Sequence, residues 1–126
     1  PDNADIDERC AGLLFAVGQP AEALRHLDSI VERHPADGAA YAKVANLLER
    51  EGRFDLADRR WQQAAAVEPT NPTWLVGRAH DRLAARDLAT ARALVEQVLA
   101  GDWQDRFAQS VDEARGIKKH LDAPAP

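Results

Sequence analysis

Residues 41–69 read YAKVANLLEREGRFDLADRRWQQAAAVEP, a stretch that predicts two consecutive helices joined by a tight turn. In both helices apolar residues recur at three- and four-residue steps, the spacing of one helical face. Gly52 ends the first helix, because glycine enters the left-handed conformation without steric cost. Glu68-Pro69 ends the second, since a residue before proline is pushed out of the helical region. The residues predicted to face inward are Tyr41, Val44, Ala45, Leu48, Phe54, Ala57, Trp61, Ala64, Ala65 and Val67.

The same pattern returns when the sequence is shifted by 34 residues. Gly18 falls on Gly52 and Pro35 falls on Pro69. Such agreement predicts tandem repeats of one helix–turn–helix unit. The matching apolar series are Ala11, Ala45 and Ala79; Ala23, Ala57 and Ala91; Leu27, Trp61 and Val95; and Ile30, Ala64 and Val98.

The middle unit resembles a tetratricopeptide repeat, whose pattern is W-x2-L-G-x2-Y, then A-x3-F, then P. Here that pattern reads Tyr41-x2-Val44-Ala45-x2-Leu48, then Ala57-x3-Trp61, then Pro69. The flanking units match less fully, because unit one has Asp7 where an aromatic is usual and unit three has Arg86 in place of the turn glycine. The resemblance implies an all-α fold: a right-handed superhelix, or solenoid, of three repeats over about 4–36, 37–70 and 71–102.

The pattern changes after Gly101. Asp102 is a candidate N-cap for a seventh helix over 103–121, with apolar residues on one side and polar residues on the other. A stacked array leaves a hydrophobic face uncovered at its end, so this helix is predicted to be a cap. Residues 122–126 are predicted to be a linker or tail, because alternating proline keeps a chain extended.

Composition restricts the class of protein. The chain has 126 residues, a net charge of −5, one cysteine and no methionine. One thiol cannot form an intrachain disulfide, and the apolar runs are too short for direct membrane insertion. We therefore expect a soluble protein, in cytoplasm or periplasm. The missing initiator methionine and signal peptide, with an arginine-rich, alanine-rich composition, suggest a piece of a larger bacterial protein.

Catalytic and cofactor chemistry has little support in the sequence. No glycine-rich phosphate loop is present, and neither Ser29 nor Ser110 lies in a nucleophile elbow. Cys10 falls in a core-facing series, which predicts a buried, inert thiol. The four histidines show no zinc-binding spacing. The chain is therefore predicted to be no enzyme and to hold no cofactor or metal.

Nucleic-acid binding is also disfavoured. The arginines around the middle turn, residues 50–60, are interleaved with aspartates and glutamates. Phosphate binding needs unbalanced positive charge, and no segment of this chain is net basic. Surface ion pairs explain the cluster better.

Charged residues stand where the family usually places apolar ones, at Asp58, Arg78, Arg82 and Arg92. Tandem stacking would bring the helix that holds Asp58 against the helix that holds Arg78 and Arg82. One interpretation is an ion pair that fixes how unit three docks. The other is a slightly rotated third unit, with both arginines in solvent.

By resemblance, such arrays are scaffolds or adaptors that present a concave groove to a peptide or segment of a partner protein. The alternative is a structural spacer or a self-association domain, with a homodimer as one form. The first helix of each repeat lines the groove, and Asn46 is the strongest single candidate because its amide both donates and accepts. The groove residues predicted to contact a partner are Arg9, Phe15, Lys43, Asn46, Arg50, His80 and Leu83.

One known use of the family is not expected here. Some members hold the C-terminal carboxylates of heat-shock chaperones with Lys, Asn and Arg residues on the first helices of successive repeats. The corresponding positions of this chain are mostly different, so we expect no binding of an acidic chaperone tail. They are Glu8, Gly12, Lys43, Thr73 and Gly77.

Overall fold

A computed structural model describes residues 3–124, and these residues form helices without strands. Within this range no helix is long and apolar enough to cross a membrane. The helices pair in chain order as α1/α2, α3/α4 and α5/α6, and α7 packs beside α5 and α6. Their bounds are α1 Asn3–Ala16, α2 Pro20–Arg33, α3 Gly38–Arg50, α4 Phe54–Val67, α5 Thr73–Ala84, α6 Leu88–Ala100, a 3-10 helix Asp105–Phe107 and α7 Ala108–Asp122.

The alanine series mark the points where paired helices approach most closely. All six alanines predicted from the 34-residue shift are completely buried. Small side chains at these positions let the helix backbones come together without voids. The predicted inner stripe of α3 is buried as well, whereas Val67 at the end of α4 is 37% exposed and was wrongly placed inside. The buried alanines are Ala11, Ala45, Ala79, Ala23, Ala57 and Ala91.

The three turns between paired helices share one backbone conformation. Gly18 and Gly52 have φ angles of +79° and +74°, in the left-handed region that glycine enters freely. Arg86 adopts the same conformation, with φ at +65°, although it has a side chain. The repeat architecture therefore imposes the turn on unit three even where the preferred residue is missing.

Side-chain caps begin the helices that start each later unit. The carboxylate of Asp37 accepts from Ala39 N at 3.0 Å, and the Asn71 amide oxygen accepts from Thr73 N at 3.0 Å. Each satisfies a backbone donor that has no partner inside the helix. Pro72 lies just before α5 in helical conformation, as a proline at a helix start should.

The C-terminal helix begins later than the sequence predicts. Residues 102–104 are not helical, so Asp102 is not an N-cap, and α7 starts at Ala108 after a short 3-10 turn. The Trp103 indole donates to Val98 O at 2.7 Å and thereby closes the end of α6. This side-chain bond to the backbone keeps Trp103 out of the helix. Residues 125–126 of the predicted tail lie outside the described range.

The placement of α7 matches that of the first helix in a fourth repeat. Ala114 is completely buried and follows Ala79 by 35 residues, so it continues the series of inter-helix alanines. Ser110 reaches α5, where its hydroxyl lies 2.7 Å from that of Thr73. The opposite side of α7 is exposed and polar. This helix therefore covers the last repeat and presents a hydrophilic end.

Trp61 links α4 to the start of α5. Its ring stacks on Trp74, with centroids 6.0 Å apart, and its indole donates to Glu49 Oε1 at 3.0 Å. The ring lies so close to the α5 backbone that a Cβ on Gly77 would come within 2.8 Å of three ring carbons. The Trp61 ring therefore fills the space beside Gly77.

Replacing Gly77 with alanine is therefore expected to destabilise the fold by about 1–3 kcal/mol, because the buried indole must move. Gly12→Ala is the matched control, since a Cβ at Gly12 meets no atom within 4 Å. It should raise stability by up to about 1 kcal/mol, because alanine favours helix more than glycine does. Urea unfolding measures both. Equal effects of the two substitutions would show that the contact with Trp61 carries no strain.

Candidate functional site

The helices α1, α3 and α5 form one layer of the array, and two adjoining cavities open on that layer. The first has a volume of about 450 Å³ and lies between α3 and the Trp74 side chain of α5. Its wall combines small residues, an aromatic ring and polar groups, a mixture that suits an extended chain with a protruding side chain. The lining residues are Glu8, Ala39, Ala42, Lys43, Asn46, Arg50 and Trp74.

The second cavity has a volume of about 500 Å³ and lies between α1 and α3. It shares Glu8 and Arg50 with the first, so the two cavities form one continuous groove across α1, α3 and α5. We refer to this pair of cavities as the inner groove. The second cavity is lined by Asp5, Ile6, Glu8, Arg9, Gly12, Leu47 and Arg50.

Ion pairs organise the floor of the inner groove. Lys43 contacts Asp5 at 3.1 Å and Glu8 at 3.9 Å, and Arg50 contacts Glu8 at 3.2 Å. Lys43 and Arg50, two of the predicted contact residues, are therefore already neutralised by carboxylates of α1. Within the described residues the exposed Asn46 amide has no hydrogen-bond partner. The Asn46 side chain thus keeps a free donor and a free acceptor on this surface.

The structure brings together four of the seven predicted contact residues. Arg9, Lys43, Asn46 and Arg50 line the inner groove. The other three lie apart from it. Phe15 packs on the core of the first two repeats, and the Arg53 guanidinium lies 5.2 Å from its ring centroid. Leu83 packs on the separate core formed by α5, α6 and α7. His80 lies 3.9 Å from Glu113 of α7.

Sequence reasoning missed three apolar members of the groove. Trp74, Ile6 and Leu47 line it, although none lies on the helix face that the repeat comparison selects. The Trp74 side chain packs against the core, where it stacks on Trp61, and it also lines the groove. An aromatic residue next to a helix start was the only available signal.

A single carboxylate ties α3 to α5 at one end of the groove. Glu68 Oε2 accepts from Gly38 N at 2.7 Å, and Glu68 Oε1 accepts from the Trp74 indole at 3.2 Å. The first contact satisfies a backbone donor at the start of α3, where a negative charge is favourable. A Cβ on Gly38 would lie 2.7 Å from both Glu68 and Trp74, so a larger residue there would displace one or both of these side chains.

The predicted ion pair between units two and three is present. Asp58 of α4 is buried and accepts a hydrogen bond from Arg78 Nε at 2.9 Å, and it forms an ion pair with Arg82, whose Nε lies 3.5 Å away without a hydrogen bond. Arg82 also reaches Asp55 at 2.8 Å, which raises the pKa of its guanidinium. Both arginines therefore dock α5 onto α4. Arg92 serves another junction, where it contacts Asp122 of α7 at 2.6 Å.

Two carboxyl groups meet at the other end of α3 and α5. Asp81 is only 1% exposed, and its Oδ2 has no conventional hydrogen-bond partner among the described residues. Burial above all, followed by the charge of Glu49 and a hydrogen bond with it, raises the pKa of Asp81 to about 8. Asp58 contributes a smaller repulsion in the same direction. Asp81 therefore carries a proton at neutral pH.

A larger depression, of about 720 Å³, lies on the other side of the array between α2 and α4. It reaches down to Val44 and Leu48, and Asp28 pairs with Arg60 at its rim. The 34-residue pattern does not predict this opening. Nothing in its lining offers a set of converging unpaired polar groups. Among residues 3–124, no group of three or more His, Cys, Asp or Glu side chains could hold a metal ion.

Comparison with proteins of known structure identifies the fold. The structure resembles that of SycD, a type III secretion chaperone of Yersinia enterocolitica solved with a peptide of the translocator YopD. That match has a TM-score of 0.68 and 15% identity, over 96% of this chain and 93% of that chain. It also resembles the first TPR of Spaghetti (RPAP3) bound to the HSP90 peptide SRMEEVD, with a TM-score of 0.57 and 17% identity, over 92% and 95%. The chain therefore has the tetratricopeptide-repeat fold.

Sequence comparison is less informative. The uncharacterised protein y4yS of Sinorhizobium fredii (strain NBRC 101917 / NGR234) is 35% identical over 71 residues, which is 56% of this chain. The matched region is 39% of that relative, so the likeness covers about two fifths of its length. No protein-family model matches the sequence.

Proposed function

We propose that this chain is a protein-interaction module that binds an extended segment of a partner protein in the inner groove. The observation that carries the proposal is the pair of adjoining cavities, one of which is lined by the unpartnered amide of Asn46. A peptide backbone offers a donor and an acceptor in each unit, and an amide side chain can meet both. The Trp74 ring supplies an apolar wall for a side chain of the segment.

Two neighbours in fold support this proposal. SycD was solved with a peptide of YopD and the RPAP3 domain with an HSP90 peptide, so arrays of this shape accept protein segments. Both are under 25% identical to this chain, so they support a protein segment as the ligand but do not indicate the sequence of that segment.

The charge of the groove favours a segment that is not strongly acidic. Asp5 and Glu8 neutralise Lys43 and Arg50, so an acidic tail would meet acidic side chains and would have to break existing ion pairs. We therefore expect an extended segment with an apolar anchor beside Trp74 and with few carboxylates. The peptide SRMEEVD, found on the RPAP3 domain, is a suitable negative control.

Substitutions in the groove test the proposal. A peptide binder is first selected from a random library on the immobilised chain, and its affinity is then measured by calorimetry. Asn46→Ala and Arg50→Glu should each weaken binding by about 1–3 kcal/mol, the range of interface hot spots, without changing the unfolding midpoint.

Gln62→Ala and Arg59→Glu, on the rim of the depression between α2 and α4, are the matched controls and should leave affinity unchanged. If these controls abolish binding while the groove variants bind as tightly as the parent, the segment lies on the opposite side. A chain that selects no binder at all would favour the alternative role, a structural spacer whose groove stays empty.

A further inference from the structure

An apolar stripe runs along α1 and into the turn that follows it. Ile6, Leu13 and Val17 are 48%, 68% and 68% exposed, and the half-buried Cys10 lies between them. Ile6, Cys10 and Leu13 recur at i, i+4 and i+7, so they share one face of α1, and Val17 follows them in the turn after the helix. We refer to these four residues as the α1 stripe. Cys10 was expected to be buried, but it belongs to this open face.

The repeat register explains what kind of surface the α1 stripe is. A shift of 34 residues places Ile6, Cys10 and Leu13 on Ala40, Val44 and Leu47 of α3. Those α3 residues are at most 7% exposed, because they belong to the core that the first two repeats share. The α1 stripe is therefore a repeat-stacking surface that no described element covers. Exposed stacking surfaces of this kind promote association.

The two ends of the array are different. At the C-terminal end α7 turns a polar side to solvent, so it offers no apolar surface to the α1 stripe of another copy. Head-to-tail growth is therefore disfavoured. Contact between two α1 stripes is isologous and closes after two copies.

The charges around the α1 stripe are compatible with self-contact. Asp5 pairs with Lys43, Glu8 with Arg50, and Asp7 with both His26 and Arg33. The first repeat carries most of the net negative charge of the chain, yet these carboxylates are neutralised in place. Two copies can thus meet without placing unpaired carboxylates opposite each other, and the stripe itself holds no charge.

We propose that two copies of this chain associate head to head through the α1 stripe, with Cys10 near the two-fold axis. The α1 stripe shares Ile6 with the edge of the inner groove, whereas Cys10, Leu13 and Val17 lie outside the groove lining, so the test rests on Leu13 and Cys10. Ile6, Leu13 and Val17 supply the apolar contact. The cavity that holds Asn46 has no stripe residue in its lining.

Sedimentation equilibrium tests the proposal between about 2 and 200 μM protein, a range that brackets micromolar dimers. We expect a reversible dimer for the parent and at least tenfold weaker association for Leu13→Glu. Leu88→Glu is the matched control, because Leu88 is 51% exposed on α6, away from the stripe. It should associate as the parent does. A parent that stays monomeric throughout, or a Leu13→Glu variant that dimerises fully, overturns the proposal.

The single cysteine gives a second, independent readout. Alkylation of Cys10 by N-ethylmaleimide should slow several-fold as the parent is concentrated into the dimer range. In Leu13→Glu the rate should be the same at low and high concentration. A parent that dimerises without any protection of Cys10 uses another surface, and this result would also overturn the proposal.

Discussion

Deletion of residues 102–126 is expected to lower the free energy of unfolding by at least about 3 kcal/mol and to cause aggregation. The reason is that α7 contributes Ala114 and Ile117 to a core cluster that also holds Val76 and Val98. Without α7 the apolar sides of α5 and α6 face water. Urea unfolding and sedimentation velocity of the truncated chain measure the two effects.

Two further variants make this test specific. Removal of residues 123–126 alone should change neither stability nor solubility, because α7 ends at Asp122. Ile117→Ala keeps the helix but empties a site that is 5% exposed, and should cost about 2–5 kcal/mol. A fragment ending at Gly101 that is as soluble and as stable as the parent would show that α7 is an independent appendage.

Asp81→Asn is expected to stabilise the fold by at least about 1 kcal/mol at pH 7, since the parent must bind a proton there in order to fold. The folded state holds this proton up to a pKa of about 8, whereas an ordinary aspartate loses it near 3.8. Asparagine has the same shape, carries no charge and can still donate a hydrogen bond to Glu49.

The sign of the pH dependence follows from the raised pKa. Between pH about 4 and 8 the folded state holds a proton that the unfolded state releases, so stability falls as pH rises, by at most about 1.4 kcal/mol per unit. Asp7, Asp87 and Asp122 have lowered pKa values, so their contributions disappear only below this window. Urea unfolding from pH 5 to 8 should show the slope in the parent and lose it in Asp81→Asn.

Asp112→Asn is the matched control for this experiment. Its carboxylate is 70% exposed and pairs with Arg115 one turn away, so its removal should change stability by less than about 0.5 kcal/mol. If Asp81→Asn kept the pH profile of the parent, Asp81 would be ionised in the folded state and the assignment of the proton would be wrong.

The main features of the fold can be predicted from residues 41–69 because they depend on backbone periodicity. A 34-residue shift identifies every completely buried alanine in the first six helices, and the steric freedom of glycine identifies two of the three turns. The third turn and the start of α7 could not be predicted in this way. Arg86 adopts the turn because its neighbours impose it, and Trp103 leaves the helix because its indole finds a backbone oxygen.

The candidate site was only partly predictable, because long side chains reach beyond the face on which they start. The repeat comparison selected Lys43, Asn46 and Arg50 correctly as neighbours on one surface. It had no means of showing that Glu8 neutralises two of them or that Trp74 forms a wall. These contacts depend on rotamers across three helices, and helical periodicity does not specify rotamers.

The junction at Glu68 has a mechanical consequence for the groove. Because this one carboxylate holds both Gly38 at the start of α3 and Trp74 near the start of α5, those two ends keep a constant separation. Any relative motion of α3 and α5 is then a rotation about the end that Glu68 holds. The largest displacement falls at the opposite end, where Asp81 lies beside Glu49. Protonation or deprotonation of Asp81 therefore acts at the end of α3 and α5 that lies farthest from the Glu68 junction.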